Sequence, residues 1–338
     1  MLWFLVAISA YLILAVVFLV DKYLLTSSIL NPRVYAFYVG TLGILVLILA
    51  PFVGFFIPEK SQIALSLLAG AIFVYGLFWF YKTLQLFEPS RALPTIGGLT
   101  PLFTLGLIYL FSWGKETLSS KGVVAFTLLI LGSILINIKV KENFVLFFTS
   151  FKASVRERLI NLKSLKFSVF TAFLLSLSFV LIKYVYLAQP FWNGFIWKSI
   201  GGFLMAACFF IFFPEIKKEI FKNRVPRSGM KVEKNAKRSS AERGKFPKKT
   251  TAIFVTNQAA GAGANILQNW AIALAPLAYV AIINALQGVQ YVFLLIFTIF
   301  LSLKLPQIVK EEISRKIILQ KIFAILLIAT GLAILALK

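Results

Sequence analysis

Leu2-Trp-Phe-Leu-Val-Ala-Ile-Ser-Ala-Tyr-Leu-Ile-Leu-Ala-Val-Val-Phe-Leu-Val20 is nineteen residues without a charge, and Asp21 and Lys22 follow it directly. As a helix it is about 28 Å long, close to the ~30 Å of hydrocarbon in a bilayer. No basic segment precedes it and no small-residue cleavage site follows. It therefore reads as a retained first span rather than a removed signal peptide. The same signature recurs along the chain, at residues 34–57, 63–81, 93–111 and 122–138, then at 167–186, 191–213, 251–273, 277–301 and 318–337. Backbone polar groups cannot stay unpaired in lipid, and the alternation typical of barrel strands is absent, so these runs are expected to be helices. The expected fold class is an all-α integral membrane protein of about ten transmembrane helices.

Composition leads to the same class. Of 338 residues 60% are hydrophobic and only 14% charged, with 35 phenylalanines and a mean hydropathy of +0.90. A soluble core cannot hide that much apolar surface. The net charge of +23 invites a nucleic-acid reading. The Lys and Arg residues, however, sit between apolar runs rather than on one soluble face, so no nucleic-acid partner is expected. A single cysteine, Cys208, excludes an intramolecular disulfide and a thiolate metal cluster, and the lack of histidine removes the commonest general base and metal ligand. No cofactor and no metal are expected. An enzyme would need acids, a histidine or a nucleophile clustered at one depth, and the chain offers none. Gly261-Ala-Gly263 lacks the preceding strand and the full spacing of a dinucleotide motif, so it reads as helix packing.

The connections carry the charge. Residues 139–166 are more polar, and within them 145–151 is too short to span and suits the interface. Proline marks tight links between spans 3 and 4 (Pro89) and between spans 8 and 9 (Pro276). Residues 215–250 hold 13 Lys or Arg, which reads as a solvated loop, with contact to anionic lipid headgroups as the sharper alternative. Connections 1–2, 3–4, 5–6, 7–8 and 9–10 together hold 28 of the 35 basic residues. The positive-inside tendency then puts both termini outside the cytoplasm of a cell membrane.

The two halves resemble each other. Phe18-Leu-Val-Asp-Lys22-Tyr23 parallels Phe179-Val-Leu-Ile-Lys183-Tyr184; Pro58-Glu59 parallels Pro214-Glu215; Pro89 parallels Pro276; Ala125 and Gly132 parallel Ala324 and Gly331. A repeat unit with an odd number of spans inverts its second copy, which lets the two halves exchange shapes around a midplane site. Residues 1–140 are read as the first five-helix repeat and 141–166 as the connection. Residues 167–338 are the second repeat, interrupted by the basic loop 215–250.

The run Tyr81-Lys-Thr-Leu-Gln-Leu-Phe-Glu-Pro-Ser-Arg-Ala-Leu-Pro-Thr-Ile-Gly-Gly-Leu-Thr-Pro-Leu-Phe103 resembles the span 3–4 signature of EamA-type transporters of the drug/metabolite transporter superfamily. Gly114-Lys-Glu116-Thr-Leu-Ser119 resembles the family's glutamate after span 4. In the second half Gln268-Asn-Trp-Ala-Ile-Ala-Leu-Ala-Pro276 and Asn284-Ala-Leu-Gln-Gly-Val-Gln-Tyr291 repeat the theme. The resemblance implies two inverted five-helix repeats around a central cavity, with spans 5 and 10 peripheral. It also implies a carrier of amino acids, other metabolites or drugs, often an exporter, with both termini in the cytoplasm, against the charge count above.

Polar groups inside spans mark where a solute would touch. Asn257, Gly261, Asn265 and Gln268 or Asn269 recur at helical spacing in span 8, and Asn284, Gln287 and Tyr291 in span 9, with Gln290 beside them. Amides donate and accept, so such stripes suit a polar or zwitterionic solute; the competing reading is bonding between helices. Lys198, next to Trp197 and about two turns into span 7, is placed to hold a substrate carboxylate or phosphate, or else to snorkel to the headgroups. Lys22 and Lys183 read as snorkelling span-end residues. Asp21, Glu59, Glu88 and Glu116 all fall at span ends or in connections, so proton coupling through a buried carboxylate is disfavoured. The leading expectation is an alternating-access carrier of a small polar metabolite or drug, with lipids as its other partners. The alternatives are a flippase for a lipid-linked or amphipathic substrate and a non-transporting scaffold. Solute, direction and oligomeric state stay open.

Overall fold

The computed structural model describes residues 2–27, 32–86, 89–137, 155–217, 248–304 and 315–336. Among these every regular element is a helix. They are α1 (Leu2–Ser27), α2 (Pro32–Gly43, continued by a 3₁₀ helix Ile44–Phe52), α3 (Lys60–Leu86), α4 (Pro89–Phe111) and α5 (Ser120–Asn137). The second half comprises α6 (Val155–Ala188), α7 (Phe191–Phe212), α8 (Lys248–Leu274), a 3₁₀ turn (Leu277–Tyr279), α9 (Val280–Ala285), α10 (Gln287–Lys304) and α11 (Arg315–Ala336). The segment 145–151 and most of the basic loop lie outside the described residues.

Six stretches are long and apolar enough to cross a bilayer: Leu2–Asp21, Pro32–Phe52, Lys60–Gln85, Leu165–Ala188, Phe191–Phe212 and Leu277–Leu294. Three shorter apolar helical stretches accompany them, at Thr95–Phe111, Ser120–Leu135 and Leu319–Leu335. α8 has the length, at 27 residues, but the side-chain amides of Asn257, Gln258, Asn265, Gln268 and Asn269 lower its hydropathy. The chain is thus a helical membrane protein.

Three elements differ from the sequence expectation. Span 2 leaves the α form after Gly43 and proceeds as 3₁₀ helix, with Pro51 inside it unable to donate a backbone bond. α6 is 34 residues long, so residues 155–166, expected in the connection, belong to a helix. Span 9 breaks at Leu286, between α9 and α10. Broken helices survive at membrane depth only when protein surrounds them. Here every residue from Val280 to Leu286 is buried.

Packing runs between the halves. α1 lies along α8 and α3 along α6; α1 also meets α10 and α6 meets α4; α2 packs on α7, α4 on α9 and α5 on α11. The α5–α11 contact is reciprocal. A Cβ on Gly132 would sit 3.0 Å from the Ala324 carbonyl, and one on Gly331 would sit 3.1 Å from the Ala125 carbonyl. Hydroxyls add bonds between helices: Ser176 Oγ donates to the Thr100 carbonyl at 2.7 Å and Ser178 Oγ to the Ala69 carbonyl at 2.8 Å. Such bonds contribute on the order of 0.6 kcal/mol each in membranes, so close backbone approach carries most of the association.

Candidate functional site

The amides of α8 do not form one stripe. At 100° per residue Asn257 and Gln268 lie about 20° apart on the helical wheel, whereas Asn265 and Asn269 lie about 80° and about 120° from Asn257. The set spans two faces and serves two neighbours. Towards α1, Asn257 Nδ2 donates to Asp21 Oδ1 at 2.6 Å and Gln268 Nε2 to the Tyr11 hydroxyl at 3.3 Å. Towards α7, Asn269 Oδ1 accepts from Lys198 Nζ at 2.8 Å, while Asn269 Nδ2 donates to Asn265 Oδ1 at 2.6 Å. Of the two candidates Gln268 and Asn269, it is Asn269 that reaches Lys198, while Gln268 bonds α1.

Lys198 is 4% exposed. Its ammonium does not snorkel; besides Asn269 it meets the faces of Phe73 at 4.5 Å and Phe195 at 5.7 Å. These partners are neutral, and a buried cation with neutral partners bears a desolvation cost they only partly offset. Among the described residues no carboxylate pairs with it, and the one ion pair is Arg33 with Glu215 at 2.9 Å. Lys198 also belongs to the lining of a cavity of about 50 Å³, with Gly40, Gly70, Phe73, Ser199, Gly202 and Asn265 among the other lining residues. It is the one charged residue in that lining. The arrangement suits a carboxylate or phosphate oxygen.

The remaining expected residues separate from this centre. Trp197 points outward, its Nε1 donating to the Phe56 carbonyl at 3.3 Å and its ring 5.6 Å from that of Phe55. Asn284 Nδ2 donates to Thr104 Oγ1 at 2.8 Å, and Tyr291 packs against Gly97 of α4. Asn284 Oδ1 and the Tyr291 hydroxyl are buried with no partner among the described residues, so this α4–α9–α10 junction has polar capacity to spare. Gln287 is half-buried at the start of α10.

One reading of a charged group is corrected. Lys183 is 2% exposed rather than interfacial, because α6 packs deep against the end of α8. Its Nζ donates to the carbonyls of Ala273 at 3.0 Å and Ala275 at 2.6 Å, capping the negative end of α8. Lys183→Met is expected to cost about 1–3 kcal/mol by leaving those carbonyls unpaired. Thermal unfolding in detergent checks this, with the affinity for anions at Lys198 unchanged. Asp21 ends the first apolar span, as expected, while α1 itself continues to Ser27. It accepts hydrogen bonds from the Tyr35 hydroxyl and from Asn257, partners on α2 and α8 that an isolated stretch of sequence does not show.

Lys198 and Asp21 mark two centres along α8. Twelve residues separate Asn257 from Asn269, about 18 Å of helix. At that spacing two unit charges interact by only about 1 kcal/mol at an effective dielectric of 20. Neither charge neutralises the other, and an α-amino acid, with both charges on one carbon, cannot bridge them.

No family model matches the chain, and no curated protein is similar to it. Among the solved structures similar to this chain is a crystal structure that matches over 99% of this chain and 98% of its own, with a TM-score of 0.61 at 15% sequence identity. At that identity the likeness shows the fold alone, over essentially the whole length of both chains.

Proposed function

We propose that this protein is a multipass carrier of the cell membrane that moves a small solute bearing a carboxylate or phosphate by alternating access, with Lys198 as the anchoring charge. The observation that carries the reading is the buried ammonium of Lys198, held by a neutral amide and two aromatic faces, on a residue that lines a cavity. Buried charges inside membranes are costly and mark solute pathways. A cavity of about 50 Å³ is too small for a metabolite, so loading requires the helices around Lys198 to part. A carrier in an occluded conformation has that property.

The reading includes ten spans arranged as two inverted five-helix repeats and an EamA-like relation. It is supported by the reciprocal glycine contacts of α5 and α11 and by the matching of α3–α6 with α1–α8 and of α4–α6 with α1–α10. Each of these is what a five-span shift along the chain predicts. Inverted halves are the usual device for presenting one midplane site to either side in turn.

A second reading rests on a groove of about 600 Å³ on the outside of the bundle, among Leu65, Phe111, Trp113 and Leu181. Gln62 and Tyr184 belong to its lining, and Gln62 Oε1 and the Tyr184 hydroxyl are buried without hydrogen-bond partners among the described residues. Apolar walls with a polar end favour an amphipathic substrate and hence a flippase.

A thermal-shift screen of purified protein against amino acids, organic acids, phosphates, cationic drugs and lipids separates the two. Stabilisation by one anionic class, lost in Lys198→Ala and weakened in Asn265→Ala, supports the carrier. Stabilisation by lipids alone, unchanged in both variants, overturns it in favour of the flippase. No ligand-dependent shift and no saturable flux would leave a scaffold.

A further inference from the structure

Asp21 is the only aspartate in the chain, and it lies where three helices meet. α2 supplies Tyr35, whose hydroxyl donates to Asp21 Oδ1, and α8 supplies Asn257, whose Nδ2 donates to the same oxygen at 2.6 Å. α8 also returns to α2, with Gln258 Nε2 donating to the Tyr35 hydroxyl at 3.0 Å. The bonds form a closed ring through α1, α2 and α8. Both donors converge on Oδ1, so Oδ2 has no partner among the described residues.

α7 meets α3 by backbone, through Gly70 and Gly201, whereas the bond that this ring adds between α2 and α8, Gln258 to Tyr35, is one of side chains. Beside the ring, Phe254 meets the rings of Tyr35 at 5.8 Å and Tyr38 at 6.0 Å. A contact made of side chains around one carboxylate responds to the charge on that carboxylate.

The charged and titratable neighbours do not neutralise it. Tyr35 on α2 and Tyr81 on α3, whose rings are 4.7 Å apart, are phenols. Arg33 on α2 is turned to Glu215 at 2.9 Å and to the face of Phe213 at 4.4 Å. Lys82 on α3 lies over Trp79 at 4.4 Å. α8 offers the neutral amides of Asn257 and Gln258, and α10 presents Gln290 to the Leu14 carbonyl at 3.3 Å. The side chains of Lys22, Lys248, Lys249 and Lys304 lie outside the described residues. A metal ion needs several oxygens turned towards it. Here two N–H or O–H donors point at the acid and no group of three metal-binding side chains occurs among the described residues.

We infer that Asp21 is a proton-binding site whose occupancy controls the contact between α2 and α8. It deepens the carrier reading by adding an ion to it. A proton from the aqueous phase binds Oδ2 and neutralises the carboxylate. Oδ1 then becomes an uncharged acceptor, the bonds from Tyr35 and Asn257 lose their charge assistance, and the ring loosens. Asp21 and Lys198 stand at separate levels of α8, so proton and solute would occupy distinct sites that share α2 and α8.

The test needs no solute. Spin labels at Leu42 on α2 and Val255 on α8, both exposed, are introduced in a Cys208→Ser background, and the distance between them is measured by pulsed EPR at pH 5 and pH 8 in neutral-lipid nanodiscs. The expected result is one distance at pH 8 and an added longer component at pH 5. Asp21→Asn should show the longer component at both values. Asp21→Glu, which keeps the acid, should retain a pH response and covers the case in which the asparagine variant fails to fold. Distances that do not change with pH in the wild type, or a pH response that persists in Asp21→Asn, would overturn the proposal. Lys198→Ala should leave the response intact, so failure of the anion site and failure of the proton site are read separately.

Discussion

Gly70→Ala should abolish the folded protein, or nearly so, and Gly201→Ala should do the same. A Cβ on Gly70 would lie 1.8 Å from the carbonyl oxygen of Lys198 and 2.8 Å from the Gly202 nitrogen; one on Gly201 would lie 2.1 Å from the Leu67 carbonyl oxygen. These obstacles are backbone atoms, which cannot rotate away as a side-chain tip can. The helices α3 and α7 would have to move apart by more than an ångström, losing the close contact that substitutes for a hydrophobic driving force in lipid. Overpacking of well-packed cores costs about 1–3 kcal/mol and more when backbone must shift, and here it also displaces Lys198. Gly263→Ala supplies the control, since nothing lies within 4 Å of its added methyl. Size-exclusion profiles of the three variants in the same detergent check the expectation. Monodisperse Gly70→Ala with unchanged thermal stability would show that the α3–α7 contact is not closed as described.

How much of this was legible in the sequence differs from residue to residue. The helical membrane class was legible because a run such as Leu2 to Val20 admits no other solvent. Gly132 and Gly331 could be paired in advance because both are glycines in corresponding spans, and they meet the partner helix in reciprocal fashion. Lys198 stood out because a lysine two turns into a span has few ways to be satisfied. Its partner did not. A stripe of amides at helical spacing reads as one face, yet a difference of one position, Gln268 or Asn269, rotates a side chain by about 100° and changes its neighbour from α1 to α7. Lys183 was misread. Charge near the end of an apolar run signals the water boundary only if the side chain can reach it, and Lys183, with α6 continuing to Ala188, is buried and bonded to the end of α8 instead. The break at Leu286 was hidden because Val280 to Leu286 carries neither proline nor glycine, and what licenses the break is burial on all sides, a property of the bundle.

Lys198→Met should separate binding from stability in opposite directions. The methionine stem replaces most of the lysine's apolar contacts, including those with Phe73 and Phe195, while removing the charge. If Lys198 were a structural cation, its loss would leave Asn269 Oδ1 with only the Tyr186 hydroxyl, 3.2 Å away, and lower the unfolding temperature. If it is the anchor for an anionic solute, the ligand-free protein should be at least as stable as the wild type. Replacing a buried charge that lacks an opposite partner by an apolar side chain of similar size removes a desolvation cost. The solute, in turn, loses one charge-assisted hydrogen bond, about 1.5–3 kcal/mol, which corresponds to roughly a 10- to 150-fold weaker affinity. The two quantities come from one experiment, a thermal titration with the anion found in the screen: the baseline without ligand gives stability and the concentration dependence gives affinity. A rise or no change in the first with a loss in the second assigns Lys198 to the solute. A fall in the first with affinity retained assigns it to the bundle and removes the anionic anchor on which the carrier reading stands.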